Sequence, residues 1–258
     1  MRPRVVQAMY LFALSALTAF AQSPFVGDWK LNAGKSHLTG EIITFSPAAG
    51  QAIQYSAEDR SYSFKTDGKE YAGTVGEQYV WKMIDDHTYQ STSSRKGVVL
   101  GTTVWKVSSD EKTLNLEETG TMPSGKAFDI TSTYARVSGS RGLLGSWQNQ
   151  SIKLNEDQIM TWKAAEGDSV RWELPDLRAY VILSFDGKEC APVGPTMPEG
   201  LTLSATKTGP TSFTMKEKLN GKLLTNNHYT ISSDGKTLTA VSAPPDGKAP
   251  ATTVYEKQ

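Results

Sequence analysis

The chain reads as all-β: two consecutive small antiparallel β-barrels, with two β-sandwiches as the alternative the same pattern allows. Three observations predict this. Short runs rich in β-branched and aromatic residues recur about every ten residues, separated by turn-forming pairs. No segment sustains a helical period. A short stretch of sequence also occurs twice: Val107-Ser-Ser-Asp-Glu-Lys-Thr-Leu114 returns as Ile231-Ser-Ser-Asp-Gly-Lys-Thr-Leu238, with six of the eight positions identical.

Taken in order, residues 1–21 have the make-up of an export signal. Arg2 and Arg4 precede an apolar run from Tyr10 to Phe20, and Ala19-Phe20-Ala21 fits a small-x-small cleavage rule. The run is shorter than the ~20 residues that span a bilayer. The expectation is therefore a cleaved signal peptide and an exported chain, periplasmic or secreted, with no transmembrane segment after cleavage. Loss of Arg2 and Arg4 leaves 25 basic against 27 acidic side chains. That balance lacks the basic face that nucleic-acid binding requires. Cys190 is the single cysteine, so no internal disulfide can form, and packing and strand pairing must supply the stability.

The first unit contains candidate strands at 42–45, 52–55, 61–64, 78–81, 88–91, 98–107, 113–117 and 128–134. Asp67-Gly68, Asp85-Asp86, Lys96-Gly97, Asp110-Glu111 and Ser124-Gly125 are the turn signals. Alternation along 98–107 places Val99, Trp105 and Val107 on one face and Thr102 and Lys106 on the other. Gly101 and Thr103 are small inward positions that would leave room inside a barrel. Ser138-Gly139-Ser140-Arg141-Gly142 reads as a flexible linker. Beyond it the pattern repeats, with strands expected at 158–162, 169–174, 180–184, 201–205, 212–216, 223–231, 237–241 and 252–255.

Three further matches extend the repeat. Gly27-Asp-Trp29 matches Gly145-Ser-Trp147; Asp67-Gly-Lys-Glu-Tyr-Ala72 matches Asp186-Gly-Lys-Glu-Cys-Ala191; Tyr134-Ala-Arg136 matches Tyr255-Glu-Lys257. The four matches keep their order at offsets of 118 to 124 residues. Such a period is the size of a small domain rather than of a solenoid repeat. Two homologous domains are expected, at residues 23–138 and 143–258.

The opening Gly27-x-Trp29 and closing Tyr-x-basic segments resemble those of lipocalin and calycin barrels. Over nearly all of the mature chain, the ordered set of motifs is similar to secreted bacterial lipocalin-like proteins. The resemblance implies that Trp29 and Trp147 lie at the barrel bottoms under basic residues of the last strands. Arg136 is expected over Trp29 by cation–π contact, with Lys257 closing the second barrel. Each unit lacks the long first loop and C-terminal helix of a full lipocalin.

Catalytic and metal-binding patterns are not found. His37, His87 and His228 have no metal-ligand spacing. No nucleophile elbow is present, and Ser108-Ser109-Asp110 and its copy are turn chemistry. Glu117-Glu118 and Asp85-Asp86 read as solvated acidic pairs. Cys190 is expected to fill a small apolar role. No cofactor is expected. Trp81, Trp105, Trp162, Trp172 and Tyr229 are the candidates for lining a ligand space, with core filling as their other role. The functional expectation is a non-enzymatic exported protein holding a small, mainly apolar ligand in one or both barrels. The alternative is an envelope interaction or structural protein with solid barrels.

Overall fold

A computed structural model describes residues 23–57, 60–154, 157–243 and 250–258. The expected signal peptide lies outside the described residues. Two ten-stranded antiparallel sheets curl into nearly closed barrels. The first barrel comprises β2 (Ile42–Ala48), β3 (Ala52–Ala57), β4 (Arg60–Phe64), β5 (Asp67–Ala72), β6 (Gln78–Met83), β7 (Thr88–Arg95), β8 (Val98–Val107), β9 (Thr113–Thr121), β10 (Ala127–Ser138) and β11 (Gly145–Leu154). The second takes β1 (Gly27–Leu31) together with β12 (Ile159–Ala164), β13 (Ser169–Leu174), β14 (Ala179–Ser184), β15 (Asp186–Cys190), β16 (Leu201–Gly209), β17 (Ser212–Leu219), β18 (Lys222–Ile231), β19 (Thr237–Ala243) and β20 (Ala251–Lys257).

The barrels do not follow the sequence repeat. Strand β1 pairs with β12 and β20, whereas its repeat counterpart β11 pairs with β10 and β2. The first strands are thus exchanged, and the whole first barrel is inserted between the first two strands of the second. The sheets therefore divide at 32–41 and 155–158, not at the expected linker. Residues 139–144 instead turn β10 back onto β11. Gly139, Gly142 and Gly145 have φ of 83°, 58° and 131°, a backbone that side chains with a Cβ disfavour.

The exchange alters who closes which barrel. Arg136 lies 3.9 Å over the Trp147 ring, and Lys257 lies 5.2 Å over Trp29. The expected Arg136–Trp29 contact does not form, because Trp29 belongs to the other sheet. Both tryptophans are fully buried. Their indole N–H groups donate to carbonyls four residues upstream, Trp29 to Phe25 at 2.8 Å and Trp147 to Leu143 at 2.9 Å. The glycine of each G-x-W admits a close neighbour, the basic side chain at Gly27 and the backbone of the preceding strand at Gly145. A Cβ on Gly27 would sit 2.6 Å from Lys257 Cε, and one on Gly145 would sit 2.1 Å from the Ser138 carbonyl oxygen.

The repeated Ser-Ser-Asp stretch forms the same turn twice. Ser108 Oγ donates to Asp110 at 2.6 Å and accepts from the Thr113 amide at 2.9 Å; Ser232 does the same with Asp234 and Thr237 at 2.6 and 3.0 Å. Asp67-Gly68 and Asp186-Gly187 differ from expectation. Rather than turning hairpins, they open β5 and β15 at a bulge. Val99 also departs from the alternation. A bulge between Ser93 and Ser94 breaks the register, and Val99 is exposed while Trp105 and Val107 are buried.

The barrels meet through the same ends, opposite their tryptophan floors. Arg95 Nη1 donates to the Thr196 carbonyl at 2.7 Å, and the Ser124 amide donates to the Asp176 carbonyl at 3.0 Å. Lys126 Nζ reaches the Asp157 carbonyl at 2.9 Å and the Asp176 carboxylate at 3.4 Å. No helix among the described residues is long and apolar enough to cross a membrane.

Candidate functional site: the interior of the first barrel

A cavity of about 300 Å³ occupies the first barrel. Strand alternation builds it in layers above the tryptophan floor. The lowest layer is apolar and sealed: Phe45, Phe64, Trp81 and Leu114 are at most 1% exposed. Trp81 stacks on Phe64 with ring centroids 4.1 Å apart. Ile43, Tyr62, Tyr79 and Leu116, each two residues along its strand from one of these, face the cavity together with Tyr55, Ser91, Trp105 and Tyr134 of the neighbouring strands. Nearer the barrel mouth come Glu41, Arg60, Ser93, Thr103, Glu118 and Ser132.

The aromatic walls are fixed by one another and by hydrogen bonds. Tyr62 and Tyr79 stack in parallel at 4.2 Å, and Tyr55 packs 5.2 Å from Tyr62. The Trp105 indole N–H donates to Ser91 Oγ at 2.8 Å. Burial raises the phenol pKa of Tyr62, Tyr79 and Tyr134, so all three stay neutral hydroxyls. Tyr134 donates its hydroxyl proton to Glu41 at 3.1 Å, and Arg60 lies 3.7 Å from the same carboxylate.

Glu118 stands apart. It follows Leu114 and Leu116 on the inward face of β9, so it projects into the cavity while Glu117 faces outward. The expectation of a solvated acidic pair fails for this member. Desolvation raises its pKa, and the nearby Arg60 charge offsets that in part. Among the described residues no hydrogen bond or ion pair engages its carboxylate. Gly101 makes room for it: a Cβ there would stand 3.1 Å from Glu118 Oε1 and 3.2 Å from the Phe128 ring. The i, i+2, i+4 spacing of Leu114, Leu116 and Glu118 is the sequence signal that could have revealed this carboxylate.

At the rim, Arg95 Nη2 donates to Glu77 at 2.5 Å, and its other terminal nitrogen bonds Thr196 of the second barrel. Glu77 and Thr196 are buried, so this ion pair is dry and shared between barrels. The seam between β4 and β5 is spanned by the Thr74 hydroxyl, which donates to the Ser61 carbonyl and accepts from the Ser61 amide, both at 2.8 Å.

The candidate ligand residues divide between the barrels. Trp105 lines the cavity, and Trp81 supports its floor from below. Trp162, Trp172 and Tyr229 lie in the second barrel's core, where Trp162 stacks on Trp172 at 5.4 Å and Tyr229 on Phe213 at 4.7 Å. Sequence reading centred on tryptophan missed the tyrosines, the serines and Glu118. The histidines stay outside the cavity: His87 lies 3.5 Å from Glu111 and His228 is exposed on β18. Cys190 is half-buried, its thiol donating to the Leu203 carbonyl at 3.2 Å, and burial raises its pKa. Among the described residues no group of three His, Cys, Asp or Glu side chains could hold a metal ion. No protein-family model matches the chain, and no curated protein is significantly similar to it.

Proposed function

We propose that the chain is an exported, non-enzymatic binding protein whose first barrel holds one small molecule, and whose second barrel is a structural partner. The cavity inside the first barrel is the observation that carries this reading. A volume near 300 Å³ lies at the lower end of small-molecule sites. Its lining replaces the expected mainly apolar ligand with one that combines a ring or short apolar body with polar groups. Five aromatic side chains supply walls, and Ser93, Thr103, Ser132 and Glu118 supply hydrogen-bonding atoms. Export is the reading of residues 1–21.

Native mass spectrometry of residues 22–258 purified from the producing cells tests the reading. The expected result is a reproducible extra mass that is lost on denaturation. A bare chain mass, together with unchanged tryptophan fluorescence across a panel of small aromatic and polyhydroxy compounds, would overturn it.

A further inference from the structure

We infer that the ligand of the first barrel carries a positively charged amine seated against Glu118; this rests on the cavity being a binding site. The reasoning is charge accounting within the lining. Its titratable groups are Glu41, Arg60, Glu118 and the tyrosines Tyr55, Tyr62, Tyr79 and Tyr134. Glu41 is already engaged by the Tyr134 hydroxyl and approached by Arg60. Two carboxylates against one guanidinium leave the lining one negative charge in excess when both are ionised. Glu118 is the carboxylate with no donor among the described residues.

An anionic ligand would add a second charge beside Glu118 in a space where screening is weak. A neutral ligand could hydrogen-bond there but would leave the excess charge in place. A monocation neutralises it and supplies several N–H donors to a carboxylate that has none, a charge-assisted arrangement stronger than a neutral one. The walls agree. Tyr55, Tyr62, Tyr79 and Trp105 line the same space, and aromatic rings attract cations. Gly101 keeps the carboxylate's place open rather than packed. In the second barrel the position paired with Asn227, as Glu118 is paired with Thr103, is Ser242. Ser242 donates to Asn227, which in turn donates to Glu217, so that barrel's carboxylate already has a donor and the position of Glu118 holds a hydroxyl instead.

Three isosteric probes test the inference on the full mature chain by titration of tryptophan fluorescence and by calorimetry: 2-phenylethylamine, 2-phenylethanol and phenylacetate. The amine is expected to bind at least tenfold more tightly than the alcohol, and phenylacetate more weakly than either. Glu118→Gln is expected to weaken the amine at least tenfold and to erase its advantage over the alcohol. Glu117→Gln, on the outward face of the same strand, is expected to leave all three unchanged, which separates the site from a general effect of charge. Phenylacetate binding as tightly as the amine, or an amine affinity indifferent to Glu118→Gln, would overturn the amine assignment while the binding reading stood. Failure of all three probes with a bare native mass would overturn both.

Discussion

The two barrels have the same strand order and the same tryptophan floor, yet their interiors differ. In the second barrel, Met160, Trp162, Val181, Leu203, Ala205 and Met215 are all at most 5% exposed. Matched by register, the first barrel has Tyr62 in place of Val181, Tyr79 in place of Leu203 and Ser91 in place of Met215. Leu116 of the first barrel remains half-buried, while its counterpart Ala240 is buried. The seams differ as well. In the second barrel, Tyr180 and Val193 exchange two backbone hydrogen bonds, of 2.9 and 2.8 Å, where the first has the single Thr74 hydroxyl. A duplicated fold has thus kept the framework in both copies and left polar, accessible interior surface in one. The framework is set by positions at the floor and turns, so the middle layers were free to diverge.

The comparison can be broken most severely by cutting the chain. A fragment of residues 39–154 retains β2 to β11 and is expected to melt cooperatively with β-sheet circular dichroism. A fragment of residues 23–138 follows the sequence repeat but lacks β11, and it is expected to be unfolded or associated. Equal folding of both would show that the exchange of first strands is not obligatory.

Removing the rim ion pair comes next. Arg95→Ala leaves Glu77 buried without its cation, and a loss of about 3 kcal/mol is expected in urea unfolding. A loss within error would place the barrel contact elsewhere.

The floors should then separate the barrels. Arg136 donates to the Leu144 and Gly142 carbonyls at 2.8 and 2.7 Å and to Glu111 at 3.0 Å, besides covering Trp147. Lys257 lies over Trp29 at a longer distance. Arg136→Ala is expected to cost about 2 kcal/mol and Lys257→Ala about 0.5 kcal/mol. Equal losses would mean that ring contact, not the carbonyl bonds, closes each floor.

The smallest effect is at Glu118. Its folded pKa is raised, so the folded state binds a proton more readily than the unfolded chain. Ionised Glu118 therefore lowers stability above the raised pKa, and that cost disappears as pH falls below the unfolded value near 4.3. Glu118→Gln is expected to raise stability at pH 8 by less than about 0.5 kcal/mol and to give no gain at pH 4. A gain that persisted at pH 4 would assign the effect to packing instead of charge.

Much of the molecule was legible in the chain itself. Ser-Ser-Asp turns, β-branched runs and period-two alternation are local chemistry, and they mark most of the strands, whereas the Asp-Gly pairs at 67–68 and 186–187 proved to be bulged strand starts. The resemblance carried by the G-x-W and terminal Tyr-x-basic segments implied the floors, although it set Arg136 over Trp29 where the structure sets it over Trp147. Alternation along β9 also carried the inward direction of Glu118, although its acidic neighbour made the pair look solvated. Gly101 and Thr103 likewise marked a small inward stretch, and Thr103 lines the cavity.

What tertiary structure decided was which copy of the first strand enters which barrel. Gly-Asp-Trp at β1 and Gly-Ser-Trp at β11 fit the same slot between a last strand and a second strand, so the local pattern is degenerate. The tie is broken by connectivity. The connection from Ser138 to Gly145 is short and glycine-rich, so β11 folds back on β10 as a hairpin with little loop-closure entropy to overcome. The first barrel is then complete without β1, and β1 fills the vacant position beside β20. The cavity likewise arises from tertiary structure, since it depends on ten strands bringing tyrosines, serines and Glu118 around one space above a shared floor.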